Sequence, residues 1–207
     1  MSPGKDPVMQ SDPDAELVLA CQRTSASSLE GDYRRLYDRY KDRVYNVCFR
    51  ITGNPSDALD ASQETFGVLF RRIREFRFES RFSSWVYRIA VNASIDVRRR
   101  ARSRRLASLE QLQASETNPF ELADKVVEMP SISASRREFE QAVHAAITRL
   151  SPKLRAIVVL RYTENLSYDE IAETLRLSLG TVKSRLSRAH VALDRELTPV
   201  LDKHYLG

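Results

Sequence analysis

The sequence predicts an all-α protein built as two small helical domains joined by a flexible acidic linker. Apolar residues recur at three- and four-residue spacing through most of the chain, and no stretch sustains the alternation of a strand. Between two such helical blocks the composition turns acidic and proline-bearing. With 207 residues, 42% of them hydrophobic, the chain can bury two modest cores. The reading gives a mobile N-terminal tail over 1–28, a first domain over 29–105, the linker over 106–134 and a second domain over 135–207.

The tail is rich in Pro, Asp, Ser and Gln, with LVLAC as its one helical nub. Beyond Tyr33, the residues Leu36, Tyr40, Val44, Val47, Cys48 and Ile51 form a helical stripe, and Gly53 stops it. Asn54-Pro55 makes a turn and Ser56 is expected to cap the next helix, whose core side reads as Leu59, Phe66, Leu69, Phe70 and Ile73. After the aperiodic REFRFESRFSSW, Ser83 or Ser84 can cap a long helix with Val86, Ala90, Ala93 and Val97 inward. The linker holds Glu110, Glu116, Glu121, Asp124 and Glu128 against the single Lys125. Beyond it Phe139, Val143, Ala146, Ile147 and Leu150 mark a helix, and Ser151-Pro152 opens another carrying Leu154, Ile157, Val158 and Leu160.

The stretch LSYDEIAETLRLSLGTVKSRLSRAH reads as a helix-turn-helix. Ser167 and Glu170 have the spacing of a capping box, Ala172 is small enough for a close crossing, and Leu177 can fill the corner. Ser178 can cap the second helix, which keeps Val182, Leu186, Ala189 and Leu193 on one side. Stepping about 100° per residue from Val182 turns Gly180, Ser184, Ser187 and Arg188 outward, with Thr181 and Lys183 on the flanks. Arginine can grip guanine edges in a major groove while Ser, Thr and Lys hold phosphates, so this face suits duplex DNA; a merely solvated polar face is the plainer alternative.

Net charge is +5 overall, yet residues 71–105 alone hold twelve arginines against three acids. That density favours a phosphate backbone. Phe76, Phe78, Phe82, Trp85 and Tyr87 run through the same segment, and aromatic faces beside arginines suit unpaired bases. Phenylalanines at this density equally suit a core. Cys21 and Cys48 give no disulfide framework. The amino terminus has no apolar signal region and no span could cross a bilayer, so a cytoplasmic protein, not membrane-embedded, is expected.

LYDRYKDRVYNVCFRITGNPSDALDASQETFGVLFRRIREF with FSSWVYRIAVNASIDVRRRARSRR is similar to domain 2 of bacterial RNA polymerase sigma factors, and LSPKLRAIVVLRYTENLSYDEIAETLRLSLGTVKSRLSRAHVAL is similar to domain 4. The chain as a whole resembles the small extracytoplasmic-function (ECF) group of the sigma-70 family. The resemblance implies a non-enzymatic specificity subunit for core RNA polymerase. Domain 4 would read the minus-thirty-five element through Thr181, Lys183, Ser184, Arg185 and Arg188, with Arg185 nearer the core side and better placed for phosphate. Domain 2 would read and melt the minus-ten element through Phe78, Arg81, Trp85, Arg88, Asn92 and Arg99; Asn92 reads equally well as a solvated side chain. Asp57, Asp60, Gln63 and Glu64 would dock on the clamp helices of the β′ subunit, and domain 4 on the β flap. Partners implied are core polymerase, duplex and single-stranded promoter DNA, and an anti-sigma factor, with no small-molecule substrate. Arg176 departs from the pattern, standing where a helix-turn-helix often has Gly.

Two rivals remain at this stage. A stand-alone helix-turn-helix regulator would need a sensing or dimerising domain where this chain has its arginine-rich helix. An enzyme on nucleic acid would need clustered ligands or acids. His144, His190 and His204 are isolated, and Asp57 with Asp60 suits a helix dipole better than a metal, so neither cofactor nor metal is expected.

Overall fold

The computed structural model describes residues 7–23, 26–113 and 134–205. Its elements are α1 (Pro7–Ser11), α2 (Ala15–Arg23), α3 (Ala26–Thr52), α4 (Pro55–Arg72), a 3₁₀ turn (Ile73–Glu75), α5 (Phe82–Gln113), α6 (Ala134–Arg149), α7 (Pro152–Tyr162), α8 (Tyr168–Leu175) and α9 (Leu179–Tyr205). Among the described residues the fold is all-α.

The stripe of α3 is buried as its spacing predicts: Leu36, Tyr40, Val44, Val47, Cys48 and Ile51 are each at most 3% exposed. Gly53 ends the helix at φ +76, a left-handed conformation that a side chain resists. It is also a point of close approach, because a Cβ there would come within 2.9 Å of Thr148 Cγ2.

Asn54, not Ser56, caps α4. Its extended backbone lets Oδ1 accept from the Asp57 amide at 3.0 Å, and Pro55 takes the first helical position, which leaves Ser56 inside the helix. The inward face is also turned from the predicted one. Leu59 and Phe70 are 51% and 48% exposed, whereas Ala58, Ala61, Ser62, Thr65 and Leu69 are buried. Small residues fill that face because α4 packs closely between α3 and α5.

Two expectations about chain boundaries change. Helix α5 continues to Gln113, eight residues into the predicted linker, while 114–133 lies outside the described residues. The tail is not bare: α2 packs on α3, burying Val18 and Cys21 completely. Burial raises the Cys21 thiol to about 11 and the Cys48 thiol likewise, so both behave as small apolar groups.

The second block is α6–α9, and its apolar residues join those of the first in one continuous cluster. A smaller cluster of Leu150, Val158 and Ala189 packs α7 against α9. Where the blocks meet, α3 faces α6 and α7, and α5 faces α8. Arg155 lies at this junction with no exposure. Its Nη1 donates to the Ile51 carbonyl at 2.5 Å, and Nη2 donates to the carbonyls of Thr148 and, at 3.1 Å, Leu150. The guanidinium thus serves carbonyls at the C-terminal ends of α3 and α6, the negative ends of both dipoles. Burial, with Arg98 nearby, lowers its pKa to about 10, which still leaves it charged near neutrality.

Replacing Arg155 with Met keeps the bulk but abandons these acceptors, and we expect a loss of about 2–4 kcal/mol in urea unfolding. His144 stacks on Phe49 at 5.3 Å across the same junction. Burial holds it below its ordinary value of 6.5, and Arg50 and Arg155 push the same way. The unfolded chain therefore binds the proton first, so stability is full above about pH 6.5 and declines as pH falls below it. His144→Phe should flatten the unfolding midpoint between about pH 7.5 and 5.5 relative to the wild-type chain.

Candidate nucleic-acid interface

The capping box at the start of α8 is complete: the Ser167 amide donates to Glu170 Oε2 at 2.8 Å, and the Glu170 amide donates to Ser167 Oγ at 3.2 Å. Those bonds, with Arg81 opposite, hold the Glu170 carboxyl below its usual pKa against a partial desolvation. Arg176 closes α8 in the left-handed conformation at φ 52, ψ 52. The Leu177 amide then returns to the Ala172 carbonyl at 2.9 Å, so the turn is tight despite its arginine. Ser178 Oγ accepts from the Thr181 amide at 3.2 Å and starts α9.

On α9, Val182, Leu186 and Ala189 are buried, and Lys183, Ser184, Ser187 and Arg188 are exposed. Thr181 and Arg185 are half-buried on the flanks. Arg188 Nε donates to the Ser184 carbonyl at 3.3 Å, and Ser184 Oγ to the Thr181 carbonyl at 3.1 Å. These bonds lay the polar side chains along the helix surface. Nothing lies within 4 Å of the Cβ position of Gly180, so the entry of this helix is bare backbone and accessible to a groove.

The second candidate face is the loop before α5 and the first turns of that helix. Phe76 is packed by Phe78, Phe82 and Trp85, with ring centroids 4.9, 5.3 and 5.1 Å away. Phe78, at φ 58, is 5% exposed with its ring against Phe76, so here it is a core residue that offers no face to a base, contrary to the minus-ten expectation. Trp85 keeps part of its ring at the surface of a polar cleft shared with Arg72, Arg77, Arg88, Glu173 and Arg176. Arg88 is held below its usual pKa, first by burial and then by Arg176, while Glu173 opposes. Two guanidiniums converging in a cleft suit an anionic ligand. Asn92 is exposed, and Arg99 is exposed beside Asp96 at 3.1 Å.

This face meets the second block. Arg81 Nη1 lies 2.9 Å from Glu170 Oε1, and the Tyr87 hydroxyl donates to Glu164 Oε2 at 2.5 Å. The remaining predicted residues lie on α4, where Asp60, Gln63 and Glu64 are exposed and Asp57 is half-buried in the first turn. Glu64 is not idle, since Arg100 Nη2 reaches it at 2.5 Å. Sequence reasoning missed the cleft arginines 72 and 176 and the outward Leu59 and Phe70. The cleft is a tertiary product of α4, α5 and α8, so no local pattern announces it. Among the described residues no group of His, Cys, Asp or Glu could hold a metal, and no helix is long and apolar enough to cross a membrane.

Arg176→Gly should relieve the left-handed strain and the repulsion from Arg88, raising stability by about 1 kcal/mol in thermal or urea unfolding.

The sigma-70 region 2 family model matches residues 36–104, and that of sigma-70 region 4 matches 140–193. The ECF RNA polymerase sigma factor SigW of Bacillus subtilis is 33% identical over 165 residues, covering 78% of this chain and 87% of its own. The RNA polymerase sigma-H factor of Pseudomonas aeruginosa is 34% identical over 194 residues, covering 91% and 95%. Among solved structures, CnrH, in complex with the cytosolic domain of CnrY, aligns over 91% of this chain and 99% of its own, with TM-score 0.64 and 21% identity. The sigma factor RpoE of Bartonella quintana, in complex with the anti-sigma factor NepR, covers 81% and 97% with TM-score 0.56 and 20% identity.

Proposed function

Because the chain belongs to the sigma-70 family of RNA polymerase sigma factors, in its ECF group, and is a non-enzymatic DNA-binding initiation factor, we propose how its two helical blocks divide promoter recognition. Residues 135–207 read the minus-thirty-five element as duplex, with α9 in the major groove. Lys183, Ser184 and Arg188 face the bases, and Thr181 and Arg185 flank them toward the phosphates. The observation that carries this reading is the capped helix-turn-helix whose second helix buries Val182, Leu186 and Ala189 while turning Lys183, Ser184 and Arg188 outward.

Residues 29–105 take the minus-ten element as separated strand. Support comes from the polar cleft at Trp85 and Arg88, the exposed Arg81 and Asn92, and the basic surface of α5 further along, where Arg99, Arg102, Arg104 and Arg105 are exposed. The acids and amide on α4, namely Asp57, Asp60, Gln63 and Glu64, form a polar docking face for core polymerase, joined by the outward Leu59. The proposed partners are the β′ clamp helices for this face, the β flap for the second block, promoter DNA in both forms, and an anti-sigma factor. Reading two elements about two helical turns apart, roughly 70 Å along the duplex, requires the blocks to part. The Arg81–Glu170 and Tyr87–Glu164 contacts then break and expose the α5 face.

Adding the purified chain to core polymerase and sequencing transcript starts on a promoter library should reveal new, shared upstream and downstream elements. Arg188→Ala should relax preference at one or two upstream base pairs, by about 1–3 kcal/mol, with the downstream element unchanged. No new start sites with the wild-type chain, or an unaltered upstream preference in the variant, overturns the respective assignment.

A further inference from the structure

Residues 12–22 enter none of the roles above, yet the side chains of Asp12, Asp14 and Gln22 are built into the structure. Helix α5 begins at Phe82, one residue after Arg81, whose side chain offers no acceptor to the helix and instead pairs with Glu170. Ser83 and Ser84, expected to cap it, already lie inside its first turn. The acceptor comes instead from Asp12, which is 6% exposed: the Phe82 amide donates to its Oδ2 at 2.6 Å. The other oxygen, Oδ1, accepts from the Asp14 amide at 2.9 Å, which fixes the carboxylate plane. A carboxylate at the positive end of a helix as long as α5 gains from the dipole as well as the bond.

Two further bonds reach the same loop. Gln22 Nε2 donates to the carbonyls of Ile73 at 3.0 Å and Phe76 at 2.7 Å, one at each end of the 3₁₀ turn. The segment that supplies them is itself anchored. Asp14 accepts from the Tyr40 hydroxyl and pairs with Arg39 at 2.8 Å, and Val18 and Cys21 are buried on α3. The loop between these clamps contains Phe78 at φ 58, a conformation that persists only when neighbours impose it.

We propose that residues 12–22 are a positioning strap for base selection: Asp12 and Gln22 fix the loop over 73–82 and hence the entry of α5, where Trp85 and Arg88 line the cleft. The inference rests on the assignment of that loop to the minus-ten element. Asp12 and Gln22 touch no nucleic acid; they act through Phe76, Phe82 and the backbone between them. A strap of this kind sets the shape of the cleft without appearing in it.

The test uses the full chain alone and with core polymerase. Hydrogen exchange at the Phe82 amide and across 76–84 reads loop order directly. Binding of the holoenzyme to DNA with a randomised single-stranded segment downstream and a randomised duplex segment upstream reads selection on both elements in one sequencing experiment. Asp12→Ala and Gln22→Ala should each accelerate exchange in the loop and flatten the single-strand preference by about fivefold, the size that loss of one helix cap implies. Duplex preference and polymerase affinity should stay at wild-type levels. Val18→Ala, buried in the same helix, serves as the control for stability loss and should leave the single-strand preference intact at a temperature where it is folded.

Wild-type exchange and preference in both strap variants overturn the proposal, and so does equal flattening by Val18→Ala, which marks a purely structural role. If the wild-type holoenzyme itself shows no single-strand preference, the minus-ten assignment falls. The strap is then judged on exchange alone: it stands if the loop opens in the variants and falls if it does not.

Discussion

A buried positive charge without a carboxylate constrains the rest of this fold. Arg155 is enclosed where the two blocks meet, and its Nη1 and Nη2 donate to the carbonyls of Ile51, Thr148 and Leu150 while its buried Nε has no partner. Desolvating a guanidinium is expensive, and only several good acceptors in the right geometry offset it. The ends of α3 and α6 must therefore converge on one point. Gly53 is required there twice over, as the left-handed stop of α3 and as the residue that leaves room for Thr148. Arg98, donating to the Ile51 carbonyl at 3.1 Å, ties the middle of α5 to the same helix end. The junction is thus polar at its centre and apolar around it, a construction that favours one arrangement over its alternatives.

The contacts outside that centre have the opposite character. Arg81 with Glu170 lies at the surface, the Tyr87 hydroxyl meets Glu164 from a ring that is itself buried, and Arg88 lies close to Glu173. Acids from the second block thus face arginines and a tyrosine of the first. An exposed ion pair such as Arg81–Glu170 contributes little to stability and is screened by salt, so a polyanion can replace it at small cost. The exposed arginines beyond Arg98 on α5 have fewer such partners: Arg100 meets Glu64 and Arg99 meets Asp96, while Arg102, Arg104 and Arg105 are turned to solvent.

What the sequence disclosed and what it concealed divide along a physical line. The helix-turn-helix was legible because its determinants are local: a capping box of spacing three, a buried stripe of spacing four, and a serine cap between them. The stop at Gly53 was legible for the same reason. The inward face of α4 was not, because hydrophobicity pointed to Leu59 and Phe70 while close packing selected Ala58, Ala61 and Thr65. Two small-faced helices approach more closely than two large-faced ones, and that preference is set by the partners, which a periodicity count does not see. For Phe78 the sequence left core and contact readings both open, and its burial against Phe76 decides for the core.

The start of α5 shows how far such a determinant can be displaced. Local rules place a serine oxygen at the helix entry, and two serines were available at 83 and 84. The chain instead draws its acceptor from Asp12, seventy residues earlier, and uses the freed position for Arg81, which a local cap would have excluded. Separating the cap from the cap position lets one residue face outward as a cation while the helix end remains satisfied. The same economy holds at Gln22, whose single amide group restrains both ends of the 3₁₀ turn. The segment over 12–22 thereby becomes a part of the loop it never touches in sequence, and the loop can carry a left-handed phenylalanine because its restraints come from outside itself.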